Sequence, residues 1–581
     1  MRLINCKTLK FEEYVQGTPR YAILSHTWAD EEVSLNDMRD HTKASHMKGF
    51  DKITATCQIA LKQGIDYAWI DTCCIDKSSS AELSEAINSM FAWYRDSAVC
   101  YAWLSDYEQD PEFDLAQEAV IASFEYRESF TEQERAYSDP PPLTSEELYM
   151  RDRINKGLGG CRWFSRGWTL QELIGPKHVE FYDRDWSYFG SKMQLASILA
   201  WITGIDSAVL KGGSLDQVLV GRRMSWAASR QTRRVEDMAY CLLGIFDINM
   251  PLLYGEGKKA FTRLQEEIIK SSNDLSIFAW TTPTNDKRLF RSLWASSPNE
   301  FKSCQWLVKP ALEWNGRGEY SITSRGLRTT EMIRIVRGET SRAGGYFLPL
   351  DCVDARLKKD IRFVSLEQYG PSLFVRRNPW LNDTVVDIEV ALASRLPQPQ
   401  YICCKESPDL KNMVTASRVG SIQIEFSLEA FDETSITANP EADWDLRNSI
   451  LLSYRRRHFW GCWRIKMMGE EPGIGVICVQ SDDWLIYGIF PEHNLPAAMD
   501  QSDLLPSRVA DMLQRLPSRT SASCPPWYHT VETSEHNLGG TADKIPCTLL
   551  RIQSRKFDEV QSGGTRVKTR LQRLFKKATW P

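Results

Sequence analysis

The chain has 581 residues, more than a single hydrophobic core usually serves, so its length predicts about two to four domains. Hydrophobic residues make up 42%, charged residues 25%, and the formal net charge is only −5, a composition for a globular protein with no basic excess to attract nucleic acid. No apolar run reaches the ~18 residues that span a bilayer, and Met1-Arg-Leu-Ile-Asn-Cys-Lys7 lacks the apolar core of a secretory signal, so a cytoplasmic protein without a transmembrane segment is expected.

From residue 20 to about 190, short apolar runs alternate with amphipathic segments, the pattern of βαβ units around a parallel sheet. Strands are predicted at Tyr21 to Ser25, Tyr67 to Asp71, Val99 to Leu104 and Val179 to Tyr182. Between the second and third, Leu83, Ile87, Met90, Phe91 and Tyr94 recur at helical spacing, and Ser79 with Glu82 offers a capping box. Residues 107–150 interrupt the rhythm with twelve acids against two arginines and Pro140-Pro-Pro142, so an acidic surface insertion is placed at 107–160.

Residues 191–280 read as a helical extension, with Glu236-Asp-Met-Ala-Tyr-Cys-Leu-Leu243 closed by Gly244 as a C-terminal cap. A loop from Phe246 to Gly257 follows, then a helix through Phe261, Leu264 and Ile268. From 281 onward the period changes to two. Ile422, Ile424, Phe426 and Leu428 alternate with polar residues, and Gly475–Val479, Trp484–Phe490 and Leu549–Ile552 are strand-like, which predicts a β-rich domain over 281–581, sandwich-like in architecture. Residues 516–544, rich in Ser, Thr, Pro and Gly, read as a loop. No fixed-period repeat points to a solenoid or propeller.

The fifteen cysteines are scattered and odd in number, and the adjacent pairs Cys73-Cys74 and Cys403-Cys404 sit in strand-like apolar runs, where they read as small buried hydrophobes. With no CxxC pair and eight dispersed histidines, no metal is expected. Twenty tryptophans read mainly as core and interface anchors.

In an open parallel sheet, ligands bind beyond the carboxyl ends of the strands. Ser25, His26, Thr27 and Trp28 follow the first strand and Asp71 follows the second, so all five are expected on one rim. They are also what helix caps and a covered sheet edge would require. The stretch Cys161-Arg-Trp-Phe-Ser-Arg-Gly-Trp168-Thr-Leu-Gln-Glu172 supplies a carboxylate, Glu172, beside Trp163 and Trp168. Burial would raise its pKa, and Arg162 or Arg166 would lower it. Otherwise Glu172 is a first-turn acid in a helix starting near Ser165. Gly255-Glu-Gly257-Lys258-Lys259 reads as a turn and helix start before a phosphate cradle, and Thr232, Arg233, Glu236 and Asp237 as first-turn acids or a junction network. The last twenty residues carry six basic and no acidic side chains, a frayed tail or a membrane or partner contact.

The motifs YAILSHTW (21–28), AWIDTCCIDK (68–77), SEAINSMFAWYRDSAVCYAWLSD (84–106) and WFSRGWTLQELIGP (163–176), followed by the block from Thr232 to Gly257, resemble in order and wording the HET (heterokaryon incompatibility) domain proteins of filamentous fungi. The resemblance covers the first half of the chain; residues 281–581 show neither a nucleotide-binding motif nor WD repeats. HET domains in turn look distantly like TIR domains. The segment Ser165-Arg-Gly-Trp168-Thr-Leu-Gln-Glu172-Leu173 is similar to the TIR motif Ser-x-Trp-Cys-x-x-Glu-Leu, with one inserted residue and Thr169 in place of Cys.

This resemblance implies a TIR/flavodoxin-like sheet with flanking helices over 1–190, a helical extension over 191–280 and a β-rich remainder. It implies a role in vegetative incompatibility and programmed cell death after non-self recognition. Glu172 maps onto the TIR acid that serves cleavage of the nicotinamide–ribose bond of NAD, which makes it the catalytic candidate and NAD a candidate substrate, with no bound cofactor. Ser25, His26, Thr27, Trp28, Asp71 and Trp168 become substrate-binding candidates: Trp28 or Trp168 to stack on nicotinamide, Ser25 and backbone N–H groups near Thr27 to meet phosphate. Homo-oligomerisation on activation and an unidentified protein trigger follow as partners. A non-enzymatic adaptor acting by self-association is the alternative.

Overall fold

The computed structural model describes residues 1–15, 17–109, 144–283, 288–310, 319–330, 345–356, 361–379, 399–405, 409–426, 431–440, 458–467, 473–480, 485–495, 504–515, 521–524, 527–538 and 545–556, with short stretches between them. Most of the acidic insertion, Trp484 and the basic C-terminal tail lie outside the described residues.

A hairpin of β1 (Arg2–Asn5) and β2 (Lys10–Glu13) opens the chain. It is followed by β3 (Tyr21–His26), β4 (Tyr67–Trp69), β5 (Val99–Trp103), β6 (Val179–Tyr182) and β7 (Tyr188–Ser191). They form one seven-stranded sheet in the order β2-β1-β4-β3-β5-β6-β7. β4, β3, β5 and β6 are parallel neighbours, but β1 runs antiparallel to β4 and β7 antiparallel to β6. The expected parallel sheet is therefore the centre of a mixed one.

The division follows from burial and connection length. All six residues of β3 are buried, as the unbroken apolar run requires of a central parallel strand. Parallel neighbours need crossovers, supplied by the helices Gly49–Lys62, Ser80–Asp96 and the run from Ser145 to Ile174. The edge strands join through tight turns instead. Between β6 and β7 the Asp183 carboxylate accepts the N–H groups of Asp185 and Ser187 at 3.0 and 2.9 Å. Ser79 Oγ accepts the Glu82 N–H as foreseen, but the Glu82 carboxylate turns to Arg2 and the Asp76 N–H, tying the β1 hairpin to this helix.

Residues 191–280 are helical, the longest pieces being Ala196–Thr203 and Lys259–Ser271. The predicted 236–243 helix is only Asp237–Tyr240, followed by a 3-10 turn, Leu243–Ile245, that contains Gly244. Gly244 is thus no cap. A Cβ there would lie 2.1 Å from Phe91 Cβ, so glycine is needed for close approach to the helix Ser80–Asp96.

Beyond residue 281 the chain is β-rich. Strands between Phe290 and Ile402 build a nine-stranded sheet, and a six-stranded and a four-stranded sheet follow. Ile422, Ile424, Leu550 and Ile552 of the former share one core with Trp463, Ile465, Val476 and Ile489 of the latter. The loop expected over 516–544 contains the strands Ser521–Cys524 and Trp527–Leu538. Thr530, Val531 and Thr533 favour extended backbone, and twelve paired residues with Ile545–Lys556 outweigh the loop-like composition. Cys73 and Cys74 lie in a one-turn helix, Asp71–Cys74, not a strand. No helix among the described residues is long and apolar enough to cross a membrane.

Candidate functional site

The parallel strands end on a common rim. Ser25 is buried near the end of β3, and Asp71 opens the one-turn helix after β4. Behind them runs the helix Thr169–Ile174, separated from the turn Arg162–Ser165 by a break at Arg166 and Gly167. The break has a backbone cause: the Gly167 N–H donates to the Gln231 carbonyl at 2.8 Å and the Gln231 N–H to the Ser165 carbonyl at 2.7 Å. A Cβ on Gly167 would lie 2.5 Å from Thr232 Cγ2. Buried Arg230 fixes the corner, donating to the Arg166 carbonyl at 2.9 Å and Thr169 Oγ1 at 3.0 Å. Glu172 consequently belongs to the first turn of its own short helix rather than to one running from Ser165.

That geometry brings Glu172 against Ser25, 147 residues away in sequence. The Trp163 indole N–H donates to Ser25 Oγ at 2.8 Å, and the Ser25 hydroxyl donates to Glu172 Oε2 at 2.5 Å. Because the indole occupies a lone pair of the serine oxygen, the hydroxyl hydrogen is aimed at the carboxyl. Glu172 is 7% exposed. Burial pushes its carboxyl up to about 8 against the hydrogen bond from Ser25; Asp71 adds to the rise, while Arg166 and Tyr94 oppose it. Of the two arginines considered from sequence, Arg166 acts on Glu172, whereas Arg162 pairs with Asp106 at 3.5 Å.

Trp28 and Asp71 form a second pair, the indole N–H donating to Asp71 Oδ2 at 2.8 Å. His26 sits between two carboxylates, 3.8 Å from Asp71 and 3.9 Å from Glu32, too far for hydrogen bonds. Burial and nearby Lys52 push the His26 pKa down, so the imidazole is neutral at pH 7 and these contacts are not ion pairs. Thr27 Oγ1 lies 3.4 Å from Ser105 Oγ beyond β5. Trp168 stands apart from this group: its indole acts on Asp237, helping to lower a carboxyl pKa that burial raises.

The Gly255 and Gly257 N–H groups donate to Glu236 at 2.8 and 3.0 Å, so the protein's own carboxylate occupies that turn. Tyr254 donates to Asp237 at 3.0 Å and Tyr240 to Glu256 at 3.0 Å, giving the 232–257 block an internal polar network that Arg263 joins from the following helix at 2.7 Å from Glu256. A cavity of about 1060 Å³ lies elsewhere, between Asp216–Arg223, Ile269–Leu275 and Glu319–Ser321, and shares no residue with the Ser25–Glu172 rim.

This rim belongs to a recognised unit. Residues 21–172 match the family model described as heterokaryon incompatibility protein (HET). Residues 21–172 are a HET domain. Its last residue is Glu172, so the HET domain contains both partners of the buried pair. Residues 259–315 match a domain of unknown function (DUF8212). The vegetative incompatibility protein HET-E-1 of Podospora anserina is 42% identical over 273 residues, 46% of this chain and 18% of that protein, so the chain spans under a fifth of that relative. No solved structure matches.

Four residues of the HET rim and its surroundings had no role in the sequence argument or only a vague one: Tyr94, whose hydroxyl donates to the Leu24 carbonyl at 2.9 Å; Arg230; Lys77; and Arg233. Each sits where a side chain arrives from a distant segment, which periodicity does not report.

Proposed function

We propose that this chain acts in vegetative incompatibility, triggering cell death after non-self recognition, and that its HET domain is a TIR/flavodoxin-like unit cleaving the nicotinamide–ribose bond of NAD or a related nucleotide. The likeness to HET-E-1 supports the biology. Among β3 to β6, the spatial order of the parallel strands is second, first, third, fourth, the start of the flavodoxin-like order. The observation that carries the chemistry is the buried Ser25–Glu172 pair at the carboxyl ends of these strands.

In such a reaction the bond from ribose C1′ to the pyridinium nitrogen breaks, and its electron pair leaves with neutral nicotinamide. The ionised Glu172 carboxylate stabilises the oxocarbenium-like ribose, and water then adds to C1′ and gives up a proton. Ser25, locked by Trp163, holds the carboxylate in place. With a carboxyl that titrates near 8, Glu172 is mostly protonated at pH 7, and substrate charge or the approach of Arg166 favours the ionised form.

A second reading rests on the burial of Glu172: a carboxyl 7% exposed and bonded to Ser25 is also what a closed, non-enzymatic adaptor acting through self-association would use to brace its rim. NAD turnover by concentrated wild-type protein beside Glu172→Gln, with both folds checked by thermal melts, separates the two. Turnover that vanishes in the folded variant supports the hydrolase. Its absence from assembled wild-type protein leaves the adaptor.

A further inference from the structure

Trp28 carries two cations. Lys77 Nζ lies 3.8 Å from the indole centroid and the Arg233 guanidinium carbon 5.8 Å from it. Both side chains are exposed, and among the described residues neither is paired with a carboxylate. Arg166, half-buried with its charge acting on Glu172, adds a third positive group to the same rim. Arg233 comes from beyond the HET domain. The backbone bridge between Arg166 and Gln231 brings that segment onto the rim and carries Arg233, two residues later, over Trp28.

Two like charges held at one ring repel each other, and each is drawn to the negative face of the indole. A cationic pyridinium would meet repulsion there, whereas a phosphate would find two donors and relieve the repulsion between them. The indole is itself fixed by Asp71, so the platform is set before any ligand arrives.

We propose that the Trp28 face is the phosphate end of a composite site, in which Lys77 and Arg233 hold the diphosphate of a nucleotide while its ribose reaches Ser25 and Glu172. The segment after the HET domain supplies a binding residue the domain itself lacks. This rests on the nucleotide reading of the rim, and it turns the ligand so that nicotinamide lies away from Trp28.

The test is calorimetric titration of the full chain with ADP-ribose, and with adenosine as the probe lacking phosphate, for the wild type, Lys77→Gln and Arg233→Gln. Both substitutions are at exposed positions, and unchanged thermal melts will confirm the folds. Each variant is expected to bind ADP-ribose about tenfold more weakly, with adenosine unaffected and the difference shrinking as salt rises. Equal ADP-ribose affinity in all three proteins, or no binding to the wild type, overturns the inference. Arg233-dependent binding in a protein that turns over no NAD upholds it and removes the hydrolase reading.

Discussion

Glu172 is a carboxyl that folding discourages from ionising, and the sign of that effect is testable. Its ordinary value is 4.5 and its folded value about 8, so between those pH values the unfolded chain has released a proton that the folded chain still holds. Stability must then fall as pH rises across that window, and the loss is complete above about 8. Glu172→Gln keeps the shape and an acceptor for Ser25 but cannot ionise. The variant is expected to melt higher than wild type at pH 8, by an amount worth on the order of a few kcal/mol, with the difference vanishing near pH 4.5. Equal melting temperatures at pH 8 would show that Glu172 ionises freely in the folded protein. Ser25→Ala tests the partner. It strands the buried Trp163 N–H, at a cost of ~1–3 kcal/mol, and removes a hydrogen bond that lowers the Glu172 pKa. The alkaline rise in any NAD turnover should therefore move to higher pH, a shift that simple loss of stability would not produce.

At the scale of elements, Gly244 is where the 3-10 turn Leu243–Ile245 closes onto the helix Ser80–Asp96. The Cβ of an alanine would lie 2.1 Å from Phe91 Cβ and 2.4 Å from its ring, atoms too near the backbone to swing aside. Gly244→Ala is expected to lower stability by about 1–3 kcal/mol, read as a fall in the denaturant midpoint at constant slope. An unchanged midpoint would mean that the segment 232–257 is not seated on the helix Ser80–Asp96. Sequence located that helix by its 3.6 period through Leu83, Ile87 and Tyr94, β3 by its six-residue buried run, and the shorter β4, β5 and β6 by compact apolar runs set between amphipathic segments. It did not locate β1, β2 or β7, four-residue antiparallel partners with no comparable run. Composition misled over 516–544, where pairing along a long hairpin decides the structure. The site was legible to the same degree. Ser25 stood out by its position at a strand end and Glu172 by the resemblance of its segment to the TIR motif, while Trp168, with equal claim in sequence, lies by Asp237, and Lys77 and Arg233 follow no pattern.

At the scale of the whole chain, the change of period near residue 281 does not coincide with a break in the buried core, which runs from Leu3 to Ile402. The seam around it is closely joined. The Trp280 indole donates to the Leu293 carbonyl at 2.9 Å, Arg376 lies 3.7 Å from the Trp280 ring centroid, and Arg376 donates to the Phe278 carbonyl at 2.9 Å. Gln265, fully buried, exchanges two hydrogen bonds with the Ala295 backbone at 2.9 and 3.0 Å. A fragment ending at residue 280 would uncover the faces of Ile277, Phe278 and Trp280 that pack on the following sheet, although the turn Leu275–Phe278 keeps its seat on the helix Val220–Ser225. With roughly 1.5–3 kcal/mol at stake per fully uncovered large apolar side chain, even partial loss at three of them is a sizeable share of the stability of an ordinary domain. Residues 1–280 alone should therefore bind a hydrophobic dye and melt without a cooperative transition. Residues 1–405, in which Arg376 and Leu293 are present and Glu367 keeps its 2.8 Å pairing with Arg377, should melt as one unit. If the shorter fragment melts as sharply and as high as the longer one, the sheet after residue 281 is not part of what holds the HET region together, and the continuity of the core is packing without energetic coupling.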